Sequence, residues 1–172
     1  MNRVFYLLII FIIFVSCSSV KVVTDFDSSA DFSQYSSFAF SKSQIEKLEI
    51  SDLDKKRILS SIENHMESKG YVSSNQPDLI ISIDTKSRED VYINRYNDFP
   101  YYGWYGPTIS TTYRPRSRIV GLLYIDIVDA KSGSLLWQGN GSGSLSSNKL
   151  TRDELIDSFV NRLLENYPSA NL

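Results

Sequence analysis

Few side chains in this sequence of 172 residues could carry acid–base or nucleophilic chemistry, since it holds one His and one Cys. Asp84 and Asp126 fall on the polar sides of two predicted strands, where paired carboxylates could do acid–base work if their pKa values were pushed apart. Nothing in the sequence indicates burial, so both are interpreted as solvated acids on a sheet face. His65 follows Ile62 by three residues, beside the apolar stripe of a predicted helix, and is interpreted as a helix-boundary residue.

A Ser–His–Asp triad remains an alternative, because its members are brought together in space rather than in sequence. Ser142 lies between Gly141 and Gly143, however, and this spacing differs from that of a nucleophile elbow. Together with Gly139, the same glycines also lack the spacing of a dinucleotide-binding fingerprint. The chain is therefore not expected to be an enzyme.

The residue types in the sequence do not favour a metal site. One His excludes most zinc sites and the two-His, one-carboxylate iron sites, and one Cys excludes a thiolate cluster or a disulfide framework. The acidic run from Asp25 to Asp31 begins like a calcium loop, but Ala30 replaces the required Gly and Ser36 replaces the final Glu. We expect no metal and no other cofactor.

The single Cys, Cys17, follows an apolar run that resembles a signal peptide, which is the position at which a bacterial lipoprotein carries its lipid. An unbroken apolar run from Val4 to Val15 follows a basic start, and runs of about 10–14 apolar residues suit a signal peptide better than a bilayer span. Residues 14–17 resemble the bacterial lipobox, with Phe14 where that motif usually carries Leu. We expect residues 1–16 to be a signal peptide, Cys17 to be lipidated and residues 17–19 to form a tether. The alternatives are an ordinary signal peptide with a chance Cys, or an uncleaved anchor.

Lipidation would attach the chain to a membrane, because each buried methylene of an acyl chain contributes about 0.8 kcal/mol. Ser18 and Ser19 lack the Asp-type retention signal of inner-membrane lipoproteins, which favours the outer membrane, facing the periplasm.

A formal net charge of -2 argues against a nucleic-acid partner, since nucleic-acid-binding proteins need a basic stripe to displace counterions from phosphate.

Hydrophobic periodicity predicts two amphipathic helices. The first covers residues 52–69, with Ser51 as its N-cap and Gly70 as its stop. The second follows a capping box made of Thr151 and Glu154. Strands are predicted at 20–24, 37–40, 78–84, 119–128 and 135–138. The predicted fold is a two-layer α+β domain over 20–172, with a mostly antiparallel sheet and both helices packed on one face.

Residues 86–118 differ in composition from the rest of the chain. Eight aromatic residues lie in this segment: Tyr92, Tyr96, Phe99, Tyr101, Tyr102, Trp104, Tyr105 and Tyr113. It also has five arginines: Arg88, Arg95, Arg114, Arg116 and Arg118. Its Pro and Gly residues argue against regular structure through the middle. A long β-excursion with packed aromatics is one interpretation, and a binding loop is the other.

If the segment binds, its aromatic rings could stack on sugars and its arginines could hold carboxylates with paired donors, as peptidoglycan would require. Tyr, Trp and Arg are equally the residues enriched at protein interfaces. The candidate contact residues are Tyr101, Tyr102, Trp104, Tyr105, Arg114 and Arg116. The expected partners are an envelope protein or peptidoglycan, besides the membrane that holds Cys17.

The order of short motifs along the chain resembles the domain-of-unknown-function family 4136, a set of bacterial lipoproteins. These motifs are Thr24 to Phe40 after the lipobox, Lys69–Gly70–Tyr71, Pro77–Asp78–Leu79, Gly121–Leu122, Leu136–Trp137–Gln138–Gly139 and Tyr167–Pro168. The resemblance implies the α+β fold and an envelope location, and it implies no catalytic residues. The expected function is that of a lipid-anchored, non-catalytic binding domain. The alternative is a lipoprotein that binds or processes cell-wall glycan.

Overall fold

The computed structural model describes residues 20–97, 101–103, 106–108, 111–144 and 150–170. Within these ranges the strands are β1 Lys21–Phe26, β2 Ser37–Phe40, β3 Val72–Ser73, β4 Leu79–Asn97, β5 Tyr101–Gly103, β6 Gly106–Thr108, β7 Thr111–Asp129 and β8 Leu135–Ser144. The helices are α1 Lys42–Lys47, α2 Asp52–Ser68 and α3 Arg152–Leu164. A 3-10 turn covers Phe32–Gln34.

One six-stranded sheet with the order β1–β8–β7–β4–β2–β3 forms the body of the fold. The pairs β1/β8, β8/β7 and β7/β4 are antiparallel, whereas β4/β2 and β2/β3 are parallel. Strands β5 and β6 form a separate antiparallel pair. The predicted α+β class with a mostly antiparallel sheet is confirmed.

The helices cover one face of the sheet, because alternate strand residues and one stripe of each helix are apolar. From the strands, the core takes Phe38, Leu79, Ile81, Ile83, Leu123, Ile125, Ile127 and Trp137. From α2 and α3, it takes Ile58, Ile62, Met66, Ile156, Phe159, Val160, Leu163 and Leu164. Full burial of one such side chain contributes about 1.5–3 kcal/mol, so this inner face supplies most of the stability.

Local hydrogen bonds start both long helices as predicted. The Ser51 hydroxyl accepts a hydrogen bond from the backbone N–H of Asp54, and Asp52 and Asp54 lie in the favourable first turn of α2. At the start of α3, Thr151 and Glu154 form the reciprocal capping box. Helix α1 was not predicted.

Regular structure extends much further into residues 86–118 than the Pro and Gly content predicts. Strands β4 and β7 stay paired as far as Asn97 opposite Thr111, and Pro115 lies within this ladder opposite Ile93. The prediction of an irregular middle is therefore wrong for the described part of the segment. Among the described residues, β8 pairs with β7 only as far as Val120, so Pro115 has a strand on one side only. An edge position tolerates a residue without an N–H.

Candidate functional site

A two-stranded ribbon continues β4 and β7 beyond the rest of the sheet. We define the ribbon as residues 89–97 of β4 and 111–119 of β7, which are paired from Glu89–Ile119 to Asn97–Thr111. Its length is about 27 Å at about 3.4 Å per residue. Strand β8 pairs with β7 only from Val120 onward, so no other described strand flanks the ribbon.

The helices do not cover the ribbon. Side chains alternate along a strand, so Glu89 and Val91 lie on the same face of β4 as the buried Ile83. Val91 is nevertheless 68% exposed, and Glu89 is also exposed. On β7, Pro115 and Ser117 are exposed in the same way. The face that forms the core in the body of the sheet is therefore open to solvent in the ribbon.

The candidate contact residues fall on the ribbon and on residues 98–110, which join its two strands in the sequence and are called the connection. Arg114 and Arg116 are ribbon positions, opposite Asn94 and Tyr92. The backbone of Tyr101 and Tyr102 belongs to β5. Trp104 and Tyr105 lie outside the described residues, as does Cys17. The backbone thus places two of the six candidates on the ribbon and two on β5.

A cavity of about 360 Å³ lies at the root of the ribbon, beneath the first turns of α2 and α3. Ser87 and Gly121 face each other in the sheet register there, and their small size leaves space below Ile156 and Phe159. The hydroxyl of Thr85 lines this cavity and is buried without a hydrogen-bond partner among the described residues. The cavity is mainly apolar and fits a small apolar group.

An ion pair lies at the edge of this cavity. The Arg152 guanidinium donates two hydrogen bonds to the Asp54 carboxylate, at 3.1 Å from Nε to Oδ1 and 2.6 Å from Nη2 to Oδ2. The hydrogen bond from Arg152 holds the pKa of Asp54 below its usual value, and Arg57 adds a further bond. Arg57 also pairs with Asp153 on α3. Asp54 therefore stays ionised and serves to join the two helices rather than to transfer protons.

The two acids that the sequence singled out lie on the uncovered face of the sheet. Asp84 is opposite Tyr124, and Asp126 is opposite Ser82, so the two carboxylates are diagonal neighbours. Asp84 is exposed and lies 3.7 Å from the Lys86 ammonium. Its interpretation as a solvated acid is confirmed.

Asp126 departs from that interpretation, because it is only half-exposed. Its strand is flanked by β4 and β8, and the resulting burial raises its pKa, with the charge of Asp84 raising it further. Neither acid lines the cavity at the root of the ribbon.

Replacing Asp126 with asparagine is expected to stabilise the fold at neutral pH. The folded-state pKa is raised, so the ionised carboxylate costs stability above that pKa and the cost disappears on acidification below the unfolded value of about 3.9. Urea unfolding should show Asp126→Asn more stable than the native chain at pH 7, with the gap closing towards pH 4. Glu46→Gln, at an exposed position on α1, is the control and should change little. A less stable Asp126→Asn variant at pH 7 would contradict this assignment.

His65 joins α2 to α3. Its Nδ1 lies 3.0 Å from the Asn161 side-chain oxygen and its Nε2 lies 3.0 Å from the Leu164 carbonyl oxygen. The Asn161 amide donates to Asp157, and Asp157 also accepts a hydrogen bond from the Ser61 hydroxyl. The interpretation of His65 as a helix-boundary residue is confirmed. His65 thus lies between the two helices and contacts α3 through both sides of its ring.

In the described part of the chain, no group of three or more His, Cys, Asp or Glu side chains is arranged to hold a metal ion. No helix among the same residues is long and apolar enough to cross a membrane.

The fold is similar to that of a PelC dodecamer from Paraburkholderia phytofirmans, with a TM-score of 0.54 at 12% identity, over 88% of this chain and 99% of that chain. A variant of that protein gives a TM-score of 0.52 at 11% identity, over 84% of this chain and 94% of that one. A PDZ domain protein from Parabacteroides distasonis gives 0.48 at 20% identity; the match covers 89% of this chain and only 37% of that protein. The PelC likeness concerns the fold alone.

No curated protein sequence matches this chain. The profile of one protein family does match it, over residues 22–169, which is nearly the whole of the described structure. The match agrees with the motif order from Thr24 to Tyr167 that suggested this family. The chain belongs to the family of the domain of unknown function DUF4136.

Proposed function

We propose that this protein is a lipid-anchored, non-catalytic binding domain of the bacterial cell envelope, which faces the periplasm and contacts another envelope component through the ribbon and its connection. The observation that carries the proposal is the ribbon itself. This strand pair is about 27 Å long, and Glu89, Val91, Pro115 and Ser117 on it are exposed although they lie on the face that forms the core elsewhere in the sheet. A surface of this kind is suited to binding a partner.

The anchor rests on the sequence. The apolar run from Val4 to Val15 follows a basic start, and residues 14–17 resemble a lipobox. Residues 1–16 would be removed as a signal peptide, which leaves Cys17 to carry the lipid.

The proposed contact residues combine ring surface with paired hydrogen-bond donors. They are Tyr101, Tyr102, Trp104, Tyr105, Arg114 and Arg116. Aromatic and arginine side chains contribute most to protein interfaces because they bury a large area and make directed contacts. Catalysis is not proposed, because Asp84 is exposed and His65 lies in contacts that join α2 to α3.

The alternative function is binding or processing of cell-wall glycan. Its support is the same composition, since aromatic faces pack on sugar rings and guanidinium groups bind carboxylates. Saturable binding to purified cell wall that is lost in Trp104→Ala would favour it. A processing enzyme would also need Asp84 or Asp126, so turnover that survives removal of both would eliminate that role.

A photo-crosslinking residue in place of Trp104, in the lipidated protein in cells, tests the proposal directly. We expect one dominant adduct, identified by mass spectrometry as an envelope component, a second copy of this chain included. The same residue in place of Glu67, an exposed position on α2, is the matched control and should give no such adduct. Equal, scattered adducts from both positions would contradict a binding role for the ribbon connection.

A further inference from the structure

Strand β1 forms one edge of the six-stranded sheet and, among the described residues, pairs with a strand on one side only. An edge strand presents a row of backbone N–H and C=O groups that can pair with another chain. The opposite edge offers a short row, because β3 consists of Val72–Ser73. Beyond Ile81, β4 is flanked by β7 alone, but charged residues between Asp84 and Asp90 protect that side. Strand β1 has six residues and no proline, so it is suited to receive a further strand.

Hydrogen bonds at the end of β1 show which of its residues face the open edge. The Asp27 N–H donates to a β8 carbonyl oxygen at 2.9 Å, so Asp27 faces β8. Because successive residues of a strand direct their backbone groups to opposite sides, Val22 and Thr24 face the open edge. Phe26 faces the same way, and its N–H donates to the Asp25 Oδ1 atom at 2.9 Å. The Asp25 carboxylate therefore lies at the open edge.

Exposed apolar side chains accompany these open backbone groups. Val22 packs against the core, so Val23 points to the face of the sheet that the helices leave uncovered, where it is 69% exposed. Phe26 is 60% exposed. Residues 22–24 are all β-branched, and such residues are enriched in paired strands. The edge thus combines unpaired backbone groups with apolar surface that a second strand would cover.

The sequence of β1 is complementary to itself in antiparallel order. When two copies pair with Val23 opposite Val23, Lys21 of each copy lies opposite Asp25 of the other. Val22 then lies opposite Thr24, and these two residues can exchange both of their open backbone hydrogen bonds. Lys21 and Asp25 are exposed on the same face as Val23, so opposite charges flank the apolar centre. A register centred on Thr24 would instead place Val23 opposite Asp25, an apolar side chain against a charge.

The ends of the strand pair gain an apolar contact in the same register. Phe26 of each copy lies opposite Val20 of the other, and Val20 is half-buried against the core. Within one copy, the Phe26 ring contacts Phe32 edge-on, with 6.4 Å between the ring centres. A second copy would cover part of the ring surface that this contact leaves exposed.

We propose that β1 is an interface between two copies of this chain, which pair antiparallel with Val23 on the twofold axis. The two six-stranded sheets then form one continuous sheet. The contact is isologous, because each copy contributes the same residues, and twofold pairing is the commonest symmetry of soluble oligomers. This inference goes beyond the proposed function, since it uses neither the ribbon nor a lipid on Cys17.

Disulfide trapping of the full-length chain in cell membranes tests the pairing. Val23→Cys places two thiols on the axis, in a pair with about 4.5 Å between the Cα atoms, which a disulfide accepts. Mild oxidation should convert much of this variant into a disulfide-linked pair on a non-reducing gel. Val72→Cys is the matched control, because Val72 is an exposed valine on the opposite edge, and should give far less. Both variants keep Cys17, so its contribution to the background is the same.

Charge exchange tests the register. In the Val23→Cys background, Lys21→Glu or Asp25→Lys turns two opposite-charge pairs into like-charge pairs and should weaken pairing roughly ten-fold. Co-expression of these two charge variants with different tags should restore trapping, now between the two tagged chains, because every cross-strand charge pair is complementary again. Unfolding curves of both variants should match that of the Val23→Cys parent, which verifies that each is folded.

The results that would overturn the inference are distinct from one another. Equal trapping from positions 23 and 72 would overturn the interface, and so would charge variants that trap as well as their parent. Folded charge variants that do not recover trapping when co-expressed would overturn the antiparallel register. A dominant Val23→Cys adduct with another protein would overturn self-pairing and identify a different partner for this edge.

Discussion

Replacing Gly141 with valine is expected to destabilise the domain by about 3 kcal/mol, because the inner face of β8 has no room for a side chain there. An added Cβ atom would lie 2.6 Å from Cε1 and 2.9 Å from Cζ of Phe159. Phe159 is only 6% exposed and belongs to the hydrophobic core, so an added side chain must displace its packed ring. Chemical denaturation followed by circular dichroism should show a lower midpoint.

Asn140→Val is the matched control for Gly141→Val. Asn140 is the neighbouring residue of the same strand and is exposed, so a β-branched side chain there should change stability by no more than about 0.5 kcal/mol. The Phe159→Ala change should cost about 3–5 kcal/mol alone, and much less when added to Gly141→Val, because it removes the atoms that clash. Additive costs in the double variant would show that the clash with Phe159 is not the cause.

Sequence patterns predicted those helices and strands that are marked by apolar alternation or by a capping residue of their own. Ile81 and Ile83 alternate in β4, Ser51 caps α2, and Thr151 with Glu154 forms a capping box, so each element could be located from its own residues. Helix α1 has no such signal. Its N-cap, Ser41, makes no side-chain capping bond, and the segment is held by the hydrogen bond from the Ser41 N–H to the Ile81 carbonyl oxygen.

The ribbon was missed as regular structure for a related reason. Glu89 and Val91 are exposed on the face of β4 that is buried at Ile83, so that face needs no apolar residues there. The period-two pattern that identified Ile81 and Ile83 therefore stops near Asp84, although the ladder continues to Asn97. Composition did identify the segment as unusual. Composition could not show that the chain start and the ribbon lie at the same end of the sheet. That conclusion depends on the register that joins Lys21 to Lys86 across four strands.

The two tryptophans of the chain are expected to have opposite roles. Trp137 is 2% exposed, and its ring packs edge-on against Tyr167 with 5.4 Å between the ring centres. Trp137→Ala should therefore cost about 3–5 kcal/mol, since it leaves a large cavity beside rings that are held in place. Thermal unfolding followed by circular dichroism measures this loss.

Trp104 lies outside the described residues, in the connection that we propose makes the contact. Trp104→Ala, alone or with Tyr105→Ala, should leave the unfolding midpoint unchanged and should reduce the adduct obtained from a photo-crosslinking residue in place of Tyr102. Unfolding by Trp104→Ala would instead place this ring in a core and would remove the reason for regarding the segment as a binding surface. Trp137→Ala and Trp104→Ala each remove one tryptophan side chain from the same protein. A difference between their unfolding midpoints therefore reports on where each tryptophan lies. Trp137 would then act in stability and Trp104 in binding.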